Sequence, residues 1–354
     1  MKLKVIGVVA LCLVILSVVL MLKSQEEQRA KLETEKNAKP LVGLCVDTMV
    51  IERWQKDRDI FVSKATEAGF EVLALNANEN NEKQIDQIHF LMEKKAKVIV
   101  IIPYDKNGLK DVIQEAKRAG IIVIAYDRLI LNANVDAYVS FDNEKVGEYM
   151  AGYLMEAVPK GTYVIINGSE KDYNSFMFNQ GYKNILNSAI ERGDIKIAKE
   201  VWAPDWREDV AYDTVNELLK AGVKIDGIIG ANDRLAEGAI NALSEEGLAG
   251  AIPVVGHDAD ISACQRIVEG TQLMTVYKPI KTLAEGTVDL IVKMLEDKNL
   301  EFSESINDGK YDVPFVKFKV IPVTADNMLD TIVSDQFHNE EDIYRNIKGS
   351  EQQK

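Results

Sequence analysis

Histidine, cysteine and tryptophan are scarce in this chain, three of each among 354 residues, and proline reaches only eight. The cysteines build no disulfide framework. Cys12 lies in an apolar run, Cys45 in a strand pattern and Cys264 in a helix pattern, with no CxxC spacing, so they read as small buried hydrophobes. His89, His257 and His338 are scattered and no HExxH is present, so no metal set is assembled around them. No GxGxxG follows a strand pattern, no GxxxxGK(S/T) loop exists and GxSxG is missing. Dinucleotide, P-loop and nucleophile-elbow chemistry are therefore unsupported, and no cofactor is expected. Positive charge is short as well: 42 Lys and Arg face 56 Asp and Glu, a net charge of −14 that repels phosphate backbones. Nucleic acid is not an expected partner. His257 beside Asp258 is the one pair able in principle to do acid–base work, and without a nucleophile, metal or cofactor loop a binding role outweighs an enzyme.

What the chain does have is length for two cores and one long apolar run. Residues 5–22, VIGVVALCLVILSVVLML, are uncharged and long enough to cross a bilayer as a helix. Lys2 and Lys4 precede the run, which orients the rest of the chain outward. No small residues two apart stand near its end as a cleavage site requires, and Leu11 before Cys12 does not fit a lipidation site, so an uncleaved anchor over 1–23 is expected. SQEEQRAKLETEKNAK (24–39) mixes both charge signs with good helix formers and reads as a stalk.

From Leu41 apolar runs alternate with helical patterns. LVGLCVD (41–47), FEVLALNA (70–77), KVIVIIPY (97–104) and IIVIAYD (121–127) form a βαβ series, which implies a parallel sheet covered on both faces. A second series runs through YVIINGS (163–169), IKIAKEVW (195–202), IDGIIGAND (225–233), IPVVGHDAD (252–260) and LMTVYKP (273–279). The expected architecture is α/β, two doubly wound Rossmann-like lobes with a ligand cleft between them. The first lobe is assigned 40–147 and 281–311, the second 148–280 and 312–334, and 335–354 is expected to be a loosely held tail.

In open α/β sheets ligands lie at the carboxyl ends of the strands, so the residues just after each apolar run are informative. Those positions carry Arg53 and Trp54; Asp127 and Arg128; Asp172 and Asn174; Trp206; Asn232 and Asp233; Asp258; and Lys278. Carboxylates, amides, guanidinium and ammonium groups surround hydroxyls, while two indoles offer apolar faces, which together suit a sugar ring with C–H faces and a hydroxyl rim. Each residue also has a structural reading: Arg53 and Asp57 as an i,i+4 pair, Trp54 as core, Asp127 and Arg128 as a turn ion pair, Asp172 and Asn232 as helix caps, Lys278 as a solvated hinge. Trp202, among alternating residues, reads as packing. The joint occurrence at successive strand ends favours a binding site.

ERWQKDRDIF (52–61), VIIPY (100–104), AYDR (125–128), SFDNEKVGE (140–148), GHDAD (256–260) and GTQLMTVYKPI (270–280) resemble the type I periplasmic sugar-binding family, and within it the D-xylose-binding branch. The likeness runs from about Leu41 to about Phe337. It implies two lobes joined by three crossovers with the pentose in the cleft, polar contacts from Arg53, Asp127, Arg128, Asp172, Asn174, Asn232, Asp258 and Lys278, and stacking by Trp54 and Trp206. Tyr173 stands where the branch suggests a small polar residue, and His257 where it suggests glutamine. The resemblance also implies a membrane partner. An ABC-type sugar importer is one; a sensor histidine kinase reading lobe closure is the other, and a tethering anchor favours it.

Overall fold

The computed structural model describes residues 20–26, 39–297 and 300–347. The expected anchor over 5–22 lies, except for residues 20–22, outside the described residues, as do 27–38 of the stalk. Among the described residues no helix is long and apolar enough to cross a membrane.

The first lobe is built on a seven-stranded sheet of order β11-β12-β5-β4-β3-β1-β2. Its central strands β1 (Leu41–Val46), β3 (Val98–Ile101) and β4 (Ile122–Tyr126) are almost wholly buried, as expected of strands covered on both faces. β2 (Glu71–Asn76) is the edge, and its residues are half-buried or exposed. All pairings in this sheet are parallel except β11 (Ser305–Asn307) with β12 (Asp312–Phe318). The second lobe carries a four-stranded parallel sheet of order β7-β6-β8-β9, formed by Ile195–Trp202, Gly161–Asn167, Gly227–Gly230 and Val254–Val255. A bridge from Val255 to Met274 leads on to β10 (Thr275–Tyr277), which pairs antiparallel with β13 (Ile321–Val323).

Three expectations about organisation are displaced. β5 (Ala137–Phe141), absent from the strands read in the sequence, is fully buried and pairs with both β4 and β12. The segment 313–323, a strand-like run expected to cross back between the lobes, does so as two strands rather than one: Asp312–Phe318 runs parallel to β5 in the first lobe, and Ile321–Val323 pairs with β10 in the second. Lys319 and Val320 link the two strands. The first crossover also comes early, because the helix Asn143–Ala157 packs on the second-lobe helix Tyr173–Glu191. That packing is very close: a Cβ on Gly147 would stand 2.1 Å from the Phe178 carbonyl oxygen, and one on Gly181 2.2 Å from that of Glu144. Glycine at both positions lets the two backbones touch.

The tail is not loosely held up to Ile347. Met328, Ile332 and Ile343 are fully buried and form a small core with Ala259, Cys264, Ile267 and Tyr277. Gln265 donates from Nε2 to the Asp342 carbonyl at 2.7 Å, which ties the last described turn to the helix Ile261–Glu269. Apolar residues spaced three or four apart, too few for a helix of ordinary length, are enough to dock a short segment on a neighbour that is already folded.

Candidate functional site

Buried strands that end in polar residues must satisfy those residues somewhere, and here both lobes turn their strand ends toward each other. β1 is followed by Asp47 and Thr48, both buried, and then by the helix Glu52–Glu67, whose first turn carries Arg53 and Trp54. The Arg53 guanidinium meets three carboxylates: Asp127 in a close ion pair, Asp57 Oδ2 at 3.3 Å, and Asp258 Oδ1 of the second lobe at 3.7 Å. Its Cζ also lies 4.5 Å from the centre of the Trp54 ring. The Tyr126 hydroxyl donates to Asp57 behind this pair.

β4 ends in Asp127 and Arg128. Asp127 adopts φ 62°, a conformation rare outside glycine and costly unless the surroundings hold it. Its carbonyl oxygen accepts from Ser140 Oγ at 2.6 Å, Tyr138 OH at 3.0 Å and Asn174 Nδ2 at 3.1 Å, which fixes the strained residue from three sides. Arg128 places Nη1 2.6 Å from Asp47 Oδ2 and Nε 2.7 Å from Asp172 Oδ2, so one guanidinium joins the two lobes. Burial pushes the Asp47 and Asp57 carboxyls up to about 6 although Arg128 and Arg53 pull them down.

In the second lobe Asp172 caps the helix Tyr173–Glu191, accepting from the Asn174 N–H at 2.9 Å while its other oxygen meets Arg128. Asn232 likewise caps Asp233–Glu245, accepting from Leu235 N–H at 2.9 Å, which leaves its Nδ2 as the available donor. The cap readings and the site readings are therefore both true, because helix starts and strand ends share one edge of the lobe. Trp206 follows β7 in a turn at φ 56°, and a Cβ on Gly168 would stand 2.2 Å from its ring; only glycine leaves the indole its place.

Asp258 follows β9 at φ 103° and accepts the field of three cationic or donor groups on one oxygen: His257 Nδ1 at 3.0 Å, Lys278 Nζ at 3.3 Å and Arg53 Nη1 at 3.7 Å. Burial alone would raise this carboxyl, but Lys278, His257 and Arg53 outweigh it and hold it well below the usual carboxylate range. His257 moves the other way: burial, then Lys278, push it down to about 4, so its imidazole is neutral.

Ten of the eleven residues singled out at strand ends line one cavity of about 30 Å³, joined by Ile51, Phe178 and His257; Asp233 instead accepts from Gln272 and Thr275, each at 2.8 Å. With the lobes closed on each other that leaves room for little more than a water molecule, so opening must precede entry of any larger ligand. Phe178 escapes the sequence reading although it stands one helical turn after Asn174 on the same face, which is the signal that finds it. Trp54 and Trp206 are more buried than cleft-facing rings in an open molecule would be, 3% and 8% exposed, because the lobes are closed on each other. Trp202 stays outside the cavity, half-buried and 4.8 Å from the Phe176 ring. Tyr173 does not line it either; its ring lies 6.0 Å from Phe176. Among the described residues ten buried side-chain polar atoms make no well-aligned hydrogen bond, and six belong to this lining: Arg128 Nε and Asp258 Oδ1, which are nevertheless held in ion pairs, and Trp54 Nε1, Trp206 Nε1 and both ring nitrogens of His257. No cluster able to hold a metal occurs among the described residues.

This geometry has relatives. The chain is 42% identical over 304 residues to the D-xylose-binding periplasmic protein of Haemophilus influenzae, covering 86% of this chain and 92% of that one. It is 41% identical over 303 residues to the protein of the same name from Escherichia coli, covering 85% and 92%. Among solved structures, an ABC transporter solute binding protein from Clostridium phytofermentans with bound β-D-glucose superposes with a TM-score of 0.79 at 26% identity, over 86% of this chain and 99% of that one. Residues 42–299 match the periplasmic binding protein domain, and this chain belongs to that family.

Proposed function

We propose that this protein is an extracytoplasmic receptor that binds D-xylose between its lobes and reports occupancy through lobe closure, and that it is not an enzyme. One observation carries the reading: Trp54, Trp206 and His257 bring to the cavity both ring faces and buried polar atoms without hydrogen-bond partners. A sugar satisfies both at once, with hydroxyls for the polar atoms and C–H faces for the indoles. Charge narrows the ligand further. Arg53, Arg128 and Lys278 are each already matched by carboxylates, so the site offers no spare cation to a phosphate or carboxylate. The names of the 41–42% identical relatives support xylose as the sugar.

Thermal denaturation of the full chain tests this. Xylose at about 100 times its Kd should add about 2.7 kcal/mol of stability, and glucose, with one more hydroxymethyl group to enclose, should add less. A melting temperature unmoved by millimolar xylose overturns the reading. For the partner, a retained anchor over 5–22 supports a membrane sensor of the histidine-kinase type, whereas the resemblance to a solute binding protein of an ABC transporter supports an importer. A partner that prefers the closed form must raise xylose affinity by the factor by which xylose raises its own. Crosslinking in native membranes with and without xylose distinguishes the two. Capture of a permease and no sensor refutes signalling.

A further inference from the structure

Among the lining residues that the strand-end reading does not supply, His257 is the polar one. It is 2% exposed, its ring centre lies 4.5 Å from that of Phe178 and 6.3 Å from that of Trp206, and neither ring nitrogen has a hydrogen-bond partner. Nδ1 is 3.0 Å from Asp258 Oδ1 but out of line for a hydrogen bond. Two bare acceptors that close would repel, so the proton belongs on Nδ1. Nε2 then carries a lone pair, buried and unmatched. A buried acceptor without a donor is destabilising, and the cost is recovered when a ligand supplies the proton.

We propose, resting on the sugar-binding reading, that His257 is a direct ligand contact whose Nε2 accepts a hydrogen bond from one sugar hydroxyl and so selects for a hydroxyl at that ring position. The groups around the imidazole keep it in the accepting form. Lys278 and Arg53 both lie against Asp258 and oppose a second positive charge beside them, and the remaining neighbours, Phe178 and Trp206, are apolar rings that solvate a cation poorly here. The acceptor is also chemically distinct from the rest of the lining. Most of the oxygens there are carboxylate oxygens already shared with arginine or lysine, whereas Nε2 is neutral and shared with nothing. A glutamine in its place would offer an acceptor and two donors on a flexible stem. It would discriminate less sharply between a hydroxyl and a hydrogen.

The test is a cycle between protein and ligand. Calorimetry on the full chain measures xylose and its monodeoxy analogues against wild type, His257→Phe and His257→Gln. Expected are a loss of about 10- to 100-fold in xylose affinity for His257→Phe, the cost of one buried hydrogen bond, and a smaller loss for His257→Gln. One deoxy analogue should lose a similar factor on wild type and almost nothing further on His257→Phe, while the other analogues lose the same on both. If xylose binds wild type and His257→Phe alike within about twofold, or if no analogue shows that coupling, the contact is overturned and the sugar-binding reading stands. If wild type binds no xylose, the reading fails and the contact with it. Should His257→Phe fail to fold by circular dichroism, His257→Leu, which likewise has no acceptor, carries the same comparison.

Discussion

The two lobes furnish the cavity in different ways. In the first, each cation facing the ligand is backed by a second row of buried partners: Arg53 by Asp57 and Tyr126, Arg128 by Asp47 and the Pro103 carbonyl. In the second, the groups stand more nearly alone. Trp206 Nε1 and both ring nitrogens of His257 make no hydrogen bond, and Asp258 draws part of its compensation from Arg53 across the cleft. The first lobe is therefore built before the ligand arrives, and the second is completed by it. Preorganisation on one side leaves selectivity to the other.

The largest effect that tests this contrast is Arg53→Ala. It strands Asp57, Asp127 and Asp258 without their shared cation, and breaking a buried pair costs about 3–5 kcal/mol. Denaturant unfolding of the unliganded protein should register the loss. A second-lobe substitution should do the reverse: Trp206→Ala is expected to reduce xylose affinity by two orders of magnitude or about that, with a smaller change in unfolding free energy, since its Nε1 has no protein partner to lose. If Trp206→Ala unfolds the chain while binding by the surviving fraction is normal, the division between the lobes is wrong.

The next effect is a pH dependence of opposite sign in the two lobes. Asp57 has a folded value of about 6 against an ordinary value of 3.8. Between those values the folded state holds a proton that the unfolded chain has released, so stability from this group is present at low pH and is lost as pH rises through about 6. Asp258, held well below 3.8, contributes stability above that value and loses it as pH falls through its own lower one. Wild type should lose about 1–3 kcal/mol relative to Asp57→Asn between pH 4 and pH 7, and Asp258→Asn should show no such trend in that window. A flat difference for Asp57→Asn would mean that Arg53 and Tyr126 compensate the buried charge fully.

The same contrast explains what is legible in the sequence. Ten of the eleven residues given by one rule, polar groups after buried strands, line the cavity, because a doubly wound lobe directs its strand ends to one edge; Asp233 turns instead to Gln272 and Thr275. The rule fails for Phe178, which reaches the cavity from the second turn of a helix, and for Ile51, which precedes one. His257 stands at a strand end and reads in the sequence only as a partner for acid–base work; that its nitrogens lack protein partners is a matter of packing, which no spacing records. The break within the last strand-like run is hidden for a related reason. Asp312–Phe318 and Ile321–Val323 are one apolar run in the sequence, and only pairing with β5 and β10 separates them.

The smallest expected effect lies where the lobes meet without the cavity. Tyr104, after β3, donates to Asp205 Oδ1 at 3.0 Å and accepts from Lys171 Nζ, which itself lies 3.0 Å from the same carboxylate. Beside them the Lys106 N–H donates to the Lys171 carbonyl at 2.8 Å. This cluster joins the first lobe to two loops of the second at the rim, but its side chains are 42% and 35% exposed at Lys171 and Asp205. Solvent screening holds such contacts to about 0–1 kcal/mol. They exist only when the lobes are closed, so Tyr104→Phe removes stabilisation from the closed form alone. Xylose should then dissociate a few times faster, with its association rate nearly unchanged, as stopped-flow measurements of tryptophan fluorescence would show. A change in dissociation of a hundredfold would place the energy of closure at the rim. The ion pairs of Arg53 and Arg128 across the cleft would then be scaffolding, and the division of labour between the two lobes would have to be abandoned.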